Sequence, residues 1–321
     1  MKLREDLWDG KELAPTRQGF GDGLVEAGEK DERVVALSAD LTESTKMDLF
    51  EKKFPSRFVQ IGVAEQNLVT VASGMAAYGK IPFVTSYAAF SPGRNWEQIR
   101  TTIALNDVPV KVVGSHAGLL TGPDGATHQM LEDIALMRVL PNMTVFSPCD
   151  AEEARKVTLA AAVSGKPAYI RVEREKMPRM TTKDTPFAIG KANVMWQTDT
   201  PVVAIFATGS LLHNALKAAR DLEKEGIQVT VTNIHTIKPI DDESIVREAR
   251  RAQAVVTVEE HQVQGGLGSA VAEVLGREAP TPMEFIGVQN RFGQSGTATE
   301  LIEYYGLGVS HIIGAVRKVL T

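Results

Sequence analysis

The sequence predicts an α/β chain of two tandem open domains, each built on a mostly parallel sheet. Three observations carry this reading. Short apolar, β-branched runs alternate with longer helical patterns through the first part of the chain, as parallel βαβ units require. A charged stretch containing proline and threonine, Glu175-Lys-Met-Pro-Arg-Met-Thr-Thr-Lys-Asp-Thr-Pro186, then interrupts the pattern. A second, smaller alternating block follows. With 321 residues, 43% hydrophobic and 23% charged, the chain is long enough to give each block a core.

In the first block, residues 33–38, 108–114, 143–148 and 168–172 read as strands, because β-branched residues cluster there between turn formers. Residues 16–28, 65–78, 95–106, 130–140 and 151–164 read as helices, several opening on an acid or a small polar cap. These helices cover both faces of the parallel sheet. The second block offers strands near 202–206, 229–233, 254–258 and 284–286, and helices near 211–225, 242–252, 268–275 and 311–320. The expected division is a first domain over 1–180, a linker over 181–194 and a second domain over 195–321.

Composition excludes several function classes. Interspersed acids and bases give a net charge of -5, which suits neither a nucleic acid nor an anionic membrane surface. No stretch approaches the roughly 20 apolar residues of a membrane span and the start has no apolar leader, so a soluble cytoplasmic chain is expected. The single cysteine, Cys149, leaves no intrachain disulfide or cysteine-rich metal site, and reads as a small buried apolar residue. His213, His235, His261 and His311 show no metal-ligand spacing, so no metal ligand is assigned in this chain.

Polar residues stand where strands of the first block should end, which is where open α/β sheets bind ligands. The segments are Ser38-Ala-Asp40-Leu41-Thr-Glu-Ser44, Gly62-Val-Ala-Glu65-Gln-Asn, Thr85-Ser-Tyr87-Ala-Ala-Phe90 and His116-Ala-Gly-Leu-Leu-Thr-Gly-Pro-Asp124-Gly125-Ala-Thr-His128-Gln129. In order and spacing they resemble the pyrimidine-binding and C-terminal domains of transketolase, from about Thr16 to the end. The likeness is nearest to the small subunit of split transketolases, whose diphosphate-binding domain lies on another chain.

The resemblance implies thiamine diphosphate as cofactor, with Mg2+ held by the partner subunit. It implies an assembly with that N-terminal diphosphate-binding subunit, two copies of each, acting on small sugar phosphates. Glu65 takes the central role: the cofactor reaches its reactive imino form only when a carboxyl group shares a proton with the far nitrogen of its aminopyrimidine. Glu65 begins an otherwise apolar helix, a setting that favours the protonated acid. Alone, it would more often read as an acid placed by the helix dipole.

Tyr87 and Phe90 match aromatics that hold the pyrimidine ring; the first is usually phenylalanine in the family, and a third family aromatic stands here as Gly93. Asp40 and Leu41 match the loop beside the thiazolium ring. His128 and Asp124 match donor-sugar contacts, with His128 placed to move a proton near neutral pH. Arg17, Ser44, His116 and Arg174 match the sugar-phosphate anchor, where guanidinium forks suit a terminal phosphate.

Two glycine-rich segments read as structural. Gly19-Phe-Gly21-Asp22-Gly23 resembles the opening of the family's metal motif, but the asparagine that should follow is missing and the segment sits in a helical pattern. Gln264-Gly265-Gly266-Leu267-Gly268-Ser269 reads as a tight strand-to-helix turn rather than a dinucleotide site. Three rivals stay open: the β subunit of a decarboxylating 2-oxoacid dehydrogenase component, a 1-deoxyxylulose 5-phosphate synthase fragment, and a non-catalytic scaffold subunit.

Overall fold

The computed structural model describes residues 3–8 and 12–321. A two-residue strand, β1 (Leu13–Ala14), leads into α1 (Thr16–Lys30) and β2 (Val34–Ser38). There follow α2 (Asp48–Lys53), β3 (Phe58–Gln60), α3 (Glu65–Ala77), β4 (Ile81–Ser86), α4 (Trp96–Gln98) and β5 (Lys111–Gly114). Next come α5 (Asp133–Arg138), β6 (Thr144–Phe146), α6 (Ala151–Val163), β7 (Ala168–Arg171) and β8 (Met177–Pro178), the last pairing antiparallel with β1. The remainder comprises β9 (Asn193–Trp196), β10 (Val203–Ala207), α7 (Leu212–Lys224), β11 (Val229–Asn233), β12 (Thr236–Lys238) and α8 (Asp242–Arg251). It closes with β13 (Ala254–Gln262), α9 (Leu267–Glu278), β14 (Met283–Val288), α10 (Ala298–Tyr304) and α11 (Val309–Val319).

The larger sheet has the order β12-β6-β7-β5-β4-β2-β3 and the smaller β14-β13-β10-β11-β9. Within these two sheets, among the described residues, only β12 and β9 run antiparallel to their neighbours. The predicted fold class therefore holds. Both faces of the larger sheet are covered: Phe20, Leu24 and Phe50 pack on one side, Leu68, Val69 and Ala72 on the other. The second of these cores continues into the smaller sheet's helices through Ile245, Ala249, Leu267 and Val271. No described helix is long and apolar enough to cross a membrane.

Several elements differ from the sequence reading. The 95–106 helix begins as α4 and continues as a π-helical turn, Ile99–Ala104. The 130–140 helix shrinks to α5, and the 108–114 strand starts after Pro109, which has no N–H for the ladder. Strand β9 begins at Asn193, inside the 181–194 segment read as linker. The second block is not self-contained, because β12 leaves it to pair with β6 of the larger sheet. Three residues long and two residues after β11, β12 has too little alternation to register as a strand.

Gly19, Gly21 and Gly23 lie within α1, where they let α6 and the segment before α2 approach. A Cβ on Gly19 would sit 1.8 Å from the Ala151 carbonyl oxygen, and one on Gly23 2.9 Å from that of Arg155. The structural reading of this segment is thus correct. Gly19→Ala is expected to destabilise the chain by about 3 kcal/mol, since the obstacle is backbone and cannot turn aside; a urea midpoint equal to wild type would refute this.

Candidate active site

Parallel strands bring their C-terminal ends to one edge, and the candidate residues follow those ends. Asp40 and Leu41 follow β2, Glu65 opens α3 after β3, Tyr87 follows β4, His116 follows β5 and Arg174 follows β7. The loop after His116 turns through Gly118, Gly122 and Gly125, with φ of 74°, 75° and 75°. Such positive values are open to glycine at little cost, and they bend the loop so that Asp124 and His128 return over the edge.

Most of the predicted residues meet there. The Tyr87 and Phe90 rings lie nearly parallel, centroids 6.2 Å apart at 19°, and His128 stands edge-on to both at 5.9 and 5.3 Å. The Tyr87 ring also lies 4.6 Å from that of His116. The Ser44 hydroxyl reaches the Tyr87 hydroxyl at 3.0 Å and His116 Nε2 at 3.1 Å, while Arg17 Nη1 donates to the Ser44 carbonyl at 2.6 Å. Arg174 Nη1 pairs with Asp124 Oδ2 at 3.2 Å.

The charge here is cationic around a neutral ring. Burial, then the neighbouring Arg17 and Arg174, push the His116 pKa down to about 3, so it meets a ligand as neutral imidazole. Burial and Arg174 likewise hold Arg17 below the ordinary arginine range, and its Nε is buried without an acceptor. A bound anion would relieve Arg17 by giving it that acceptor.

Glu65 is 2% exposed, yet it is not the isolated acid in apolar surroundings that the sequence suggested. Its Oε2 accepts from Arg94 Nη1 at 2.6 Å and its Oε1 from the Ser86 hydroxyl at 3.4 Å, while Asn95 Nδ2 holds its main-chain carbonyl at 2.8 Å. The Arg94 guanidinium also lies 4.6 Å from the Phe90 ring centre, which links Glu65 to the aromatic cluster. A groove of about 480 Å³ opens beside Glu65, lined by Val63, Gln66, Thr70, Arg94 and Gln98. Arg94 was missed because a lone arginine in Ser-Pro-Gly-Arg-Asn carries no sequence signal beyond that of a surface charge.

Asp40 and Leu41 stand on the loop after β2. Asp40 is exposed with φ 61°, and its main-chain N–H donates to Gln60 Oε1 at 2.8 Å; that oxygen also accepts from Gly62 at 3.3 Å. Gln60 thus ties the Asp40 loop to the one before Glu65. No hydrogen bond or ring contact joins Asp40 or Leu41 to Tyr87, Phe90 or His128. The glycine-rich turn before α9 receives no outside anion, because Leu267 and Gly268 donate to the Glu259 carboxylate at 2.6 and 2.8 Å. Among the described residues, no group of three His, Cys, Asp or Glu side chains could hold a metal ion.

Comparison with known proteins identifies the family of the chain. Residues 13–180 match the family model described as transketolase, pyrimidine binding domain, and residues 190–312 match transketolase, C-terminal domain. A Methanocaldococcus jannaschii chain named as a transketolase C-terminal section is 43% identical, over 91% of this chain and 92% of that one. A 6-deoxy-6-sulfo-D-fructose transketolase subunit from a Clostridium species is 39% identical, over 94% of each. A solved structure described as "Split gene transketolase, inactive beta4 tetramer" superposes with a TM-score of 0.89 at 46% identity, covering 95% of this chain and 98% of that one.

Proposed function

This chain belongs to the transketolase family, and we propose that it is the pyrimidine-binding subunit of a split ketol transferase, completed by a separate diphosphate-binding chain. The observation that carries the reading is Glu65: a buried carboxyl group at the start of α3, joined through Arg94 to the Phe90, Tyr87 and His128 rings. Thiamine diphosphate fits this arrangement, which offers a buried carboxyl group on a groove and, reached from it through Arg94, a pair of nearly parallel aromatic rings. When bound, that cofactor supplies the nucleophilic carbon and the electron sink.

The chain's own residues have distinct tasks. Glu65 presents its carboxyl group to the pyrimidine nitrogen and holds or shares the proton there, with Arg94 the neighbour that must yield one oxygen. Tyr87 and Phe90 exclude water from the pyrimidine, and Asp40 and Leu41 flank the thiazolium side. His128 moves a proton at the hydroxyl of the two-carbon unit, and Asp124 orients the donor's hydroxyls. Arg17, Ser44, His116 and Arg174 grip a terminal anion through charge-assisted bonds, with His116 as a neutral partner. A terminal phosphate suits that set, and so does the sulfonate implied by the Clostridium relative's name. Mg2+ falls to the partner chain, in a cytoplasmic assembly of two copies of each.

The deciding experiment mixes this chain with a diphosphate-binding chain, thiamine diphosphate and Mg2+. Two-carbon transfer from a ketose phosphate to an aldose phosphate is expected, with no turnover by this chain alone. Decarboxylation of pyruvate without ketol transfer would instead favour the dehydrogenase or synthase rivals. His128→Ala should lower kcat/KM for the donor by about 100-fold, within the range for a removed proton-transfer group; an unchanged value would remove His128 from the reaction.

A further inference from the structure

We propose that Glu260, on β13 of the second domain, is a positioning residue for the donor: it braces the loop that carries Asp124 and His128. The inference rests on the ketol-transfer reading and gives the second domain a part in substrate recognition. The Glu260 side chain is 2% exposed and sits at the seam between the two sheets. Its Oε1 accepts from the main-chain N–H of Leu120 at 2.7 Å, and its Oε2 from Arg171 Nη1 at 3.2 Å. Arg171 Nη2 also donates to the Glu260 carbonyl at 2.8 Å, so both the side chain and the backbone of this residue are anchored to β7.

The loop is shaped around that carboxyl group. A Cβ on Gly118 would lie 2.3 Å from Glu260 Oε2, so only glycine admits the approach. Leu120 leads directly to Thr121, whose carbonyl accepts from Arg174 at 3.5 Å, and Arg174 also holds Asp124. A second tie reaches the far side of the loop: Gln129 Nε2, next to His128, donates to the Gly122 carbonyl and to that of Gln294, each at 2.9 Å. Ser295 fills the space beside Gly125, its hydroxyl oxygen 2.7 Å from where a Cβ would stand. The second domain therefore fixes both ends of the turn bearing Asp124 and His128, while among the described residues no hydrogen bond or ring contact joins it to Glu65 or the aromatic pair. A brace of this kind acts on donor binding and leaves cofactor binding alone.

The test uses the reconstituted assembly with its partner chain and cofactor. Glu260→Ala removes the acceptor for Leu120 and is expected to raise the donor KM roughly tenfold, the loss of one hydrogen bond to a buried acidic group. The acceptor-sugar KM and the cofactor affinity should stay within about twofold of wild type. Glu260→Gln keeps an oxygen for Leu120 but turns an amide towards Arg171, so it should lose stability while retaining the donor KM. That split separates positioning from a structural role, in which the donor KM would follow stability in both variants. A donor KM unchanged by Glu260→Ala, or raised equally by Glu260→Gln, overturns the proposal. Should Glu260→Ala fail to fold, Gln129→Leu cuts the second tie and is held to the same expectation, with an unchanged donor KM again counting against it. Amide hydrogen exchange over residues 118–129, faster in whichever of these two variants folds, reads the brace without turnover; failure of ketol transfer in the wild type is thus distinguishable from failure of the brace.

Discussion

Glu65→Ala abolishes turnover for practical purposes in the reconstituted enzyme: kcat falls by about 1,000-fold, the middle of the range for a missing acid or base group. The substitution should leave the fold intact, which makes the loss interpretable. Arg94, the partner of Glu65, is 49% exposed, so water rehydrates it when the carboxyl group is gone and the lost ion pair costs at most about 1 kcal/mol. Asn95 holds the main-chain carbonyl of residue 65, a bond that survives truncation of the side chain. The α3 N-terminus loses one favourable acid, worth about 0.5 kcal/mol. Glu65→Gln should lose nearly as much activity, because an amide can hydrogen-bond to a ring nitrogen but cannot share an acidic proton with it. Steady-state rates at saturating cofactor, beside matched melting curves, check the expectation. A variant within tenfold of wild type would detach Glu65 from the chemistry and leave the transketolase likeness as one of fold.

The sequence discloses the frame of this molecule because parallel βαβ units leave a periodic trace in each element separately. Strands β2, β5, β10, β11 and β13 are largely buried runs rich in β-branched residues and β7 is a buried Ala-Tyr-Ile-Arg segment followed by Val172, and each was visible as a strand. β3, β12, α2 and α10 were not visible, since three-residue strands and one-to-two-turn helices contribute too few residues for a period to show. The six-residue central strand β4 was not either, because Pro82 inside its run argues against a strand. The site was legible to the extent that its residues follow strand ends in recognisable segments: Glu65, Tyr87, Phe90, Asp124 and His128 all do. Arg17, Ser44 and Arg174 are far apart in the chain, and only the family likeness drew them together before the fold did. For a different reason, Arg94 escaped notice and Glu260, in the polar segment Glu259-Glu260-His261 after a strand, reads from sequence as structural. Their importance lies in contacts 29 and 140 residues away, with Glu65 and Leu120 respectively, and no local pattern encodes such a contact.

Arg171→Met should be the most destabilising single change at the seam between the sheets, by about 4 kcal/mol near neutral pH. Arg171 is buried among three acids, bonding Asp133 at 3.0 Å, Glu260 at 3.2 Å and Glu173 at 3.4 Å. Burial opposes its charge, but these acids outweigh that cost and hold its pKa above the ordinary arginine range. On Glu173 and Glu260 burial dominates: it raises the first and lifts the second to about 8 despite Arg171. Methionine fills much of the arginine stem's volume yet removes the guanidinium that contacts all three, so the folded chain must hold more protons there. The sign of the pH effect follows. Groups whose folded pKa lies above the unfolded value favour folding at low pH and lose that contribution as pH rises through the folded pKa. The deficit of Arg171→Met relative to wild type is therefore expected to be smaller at pH 5.5 than at pH 8, because acid neutralises the carboxylates left without a partner. Urea midpoints of both proteins at the two pH values measure it. A deficit that is the same at both would mean that packing of the arginine stem, rather than its charge, holds the seam together.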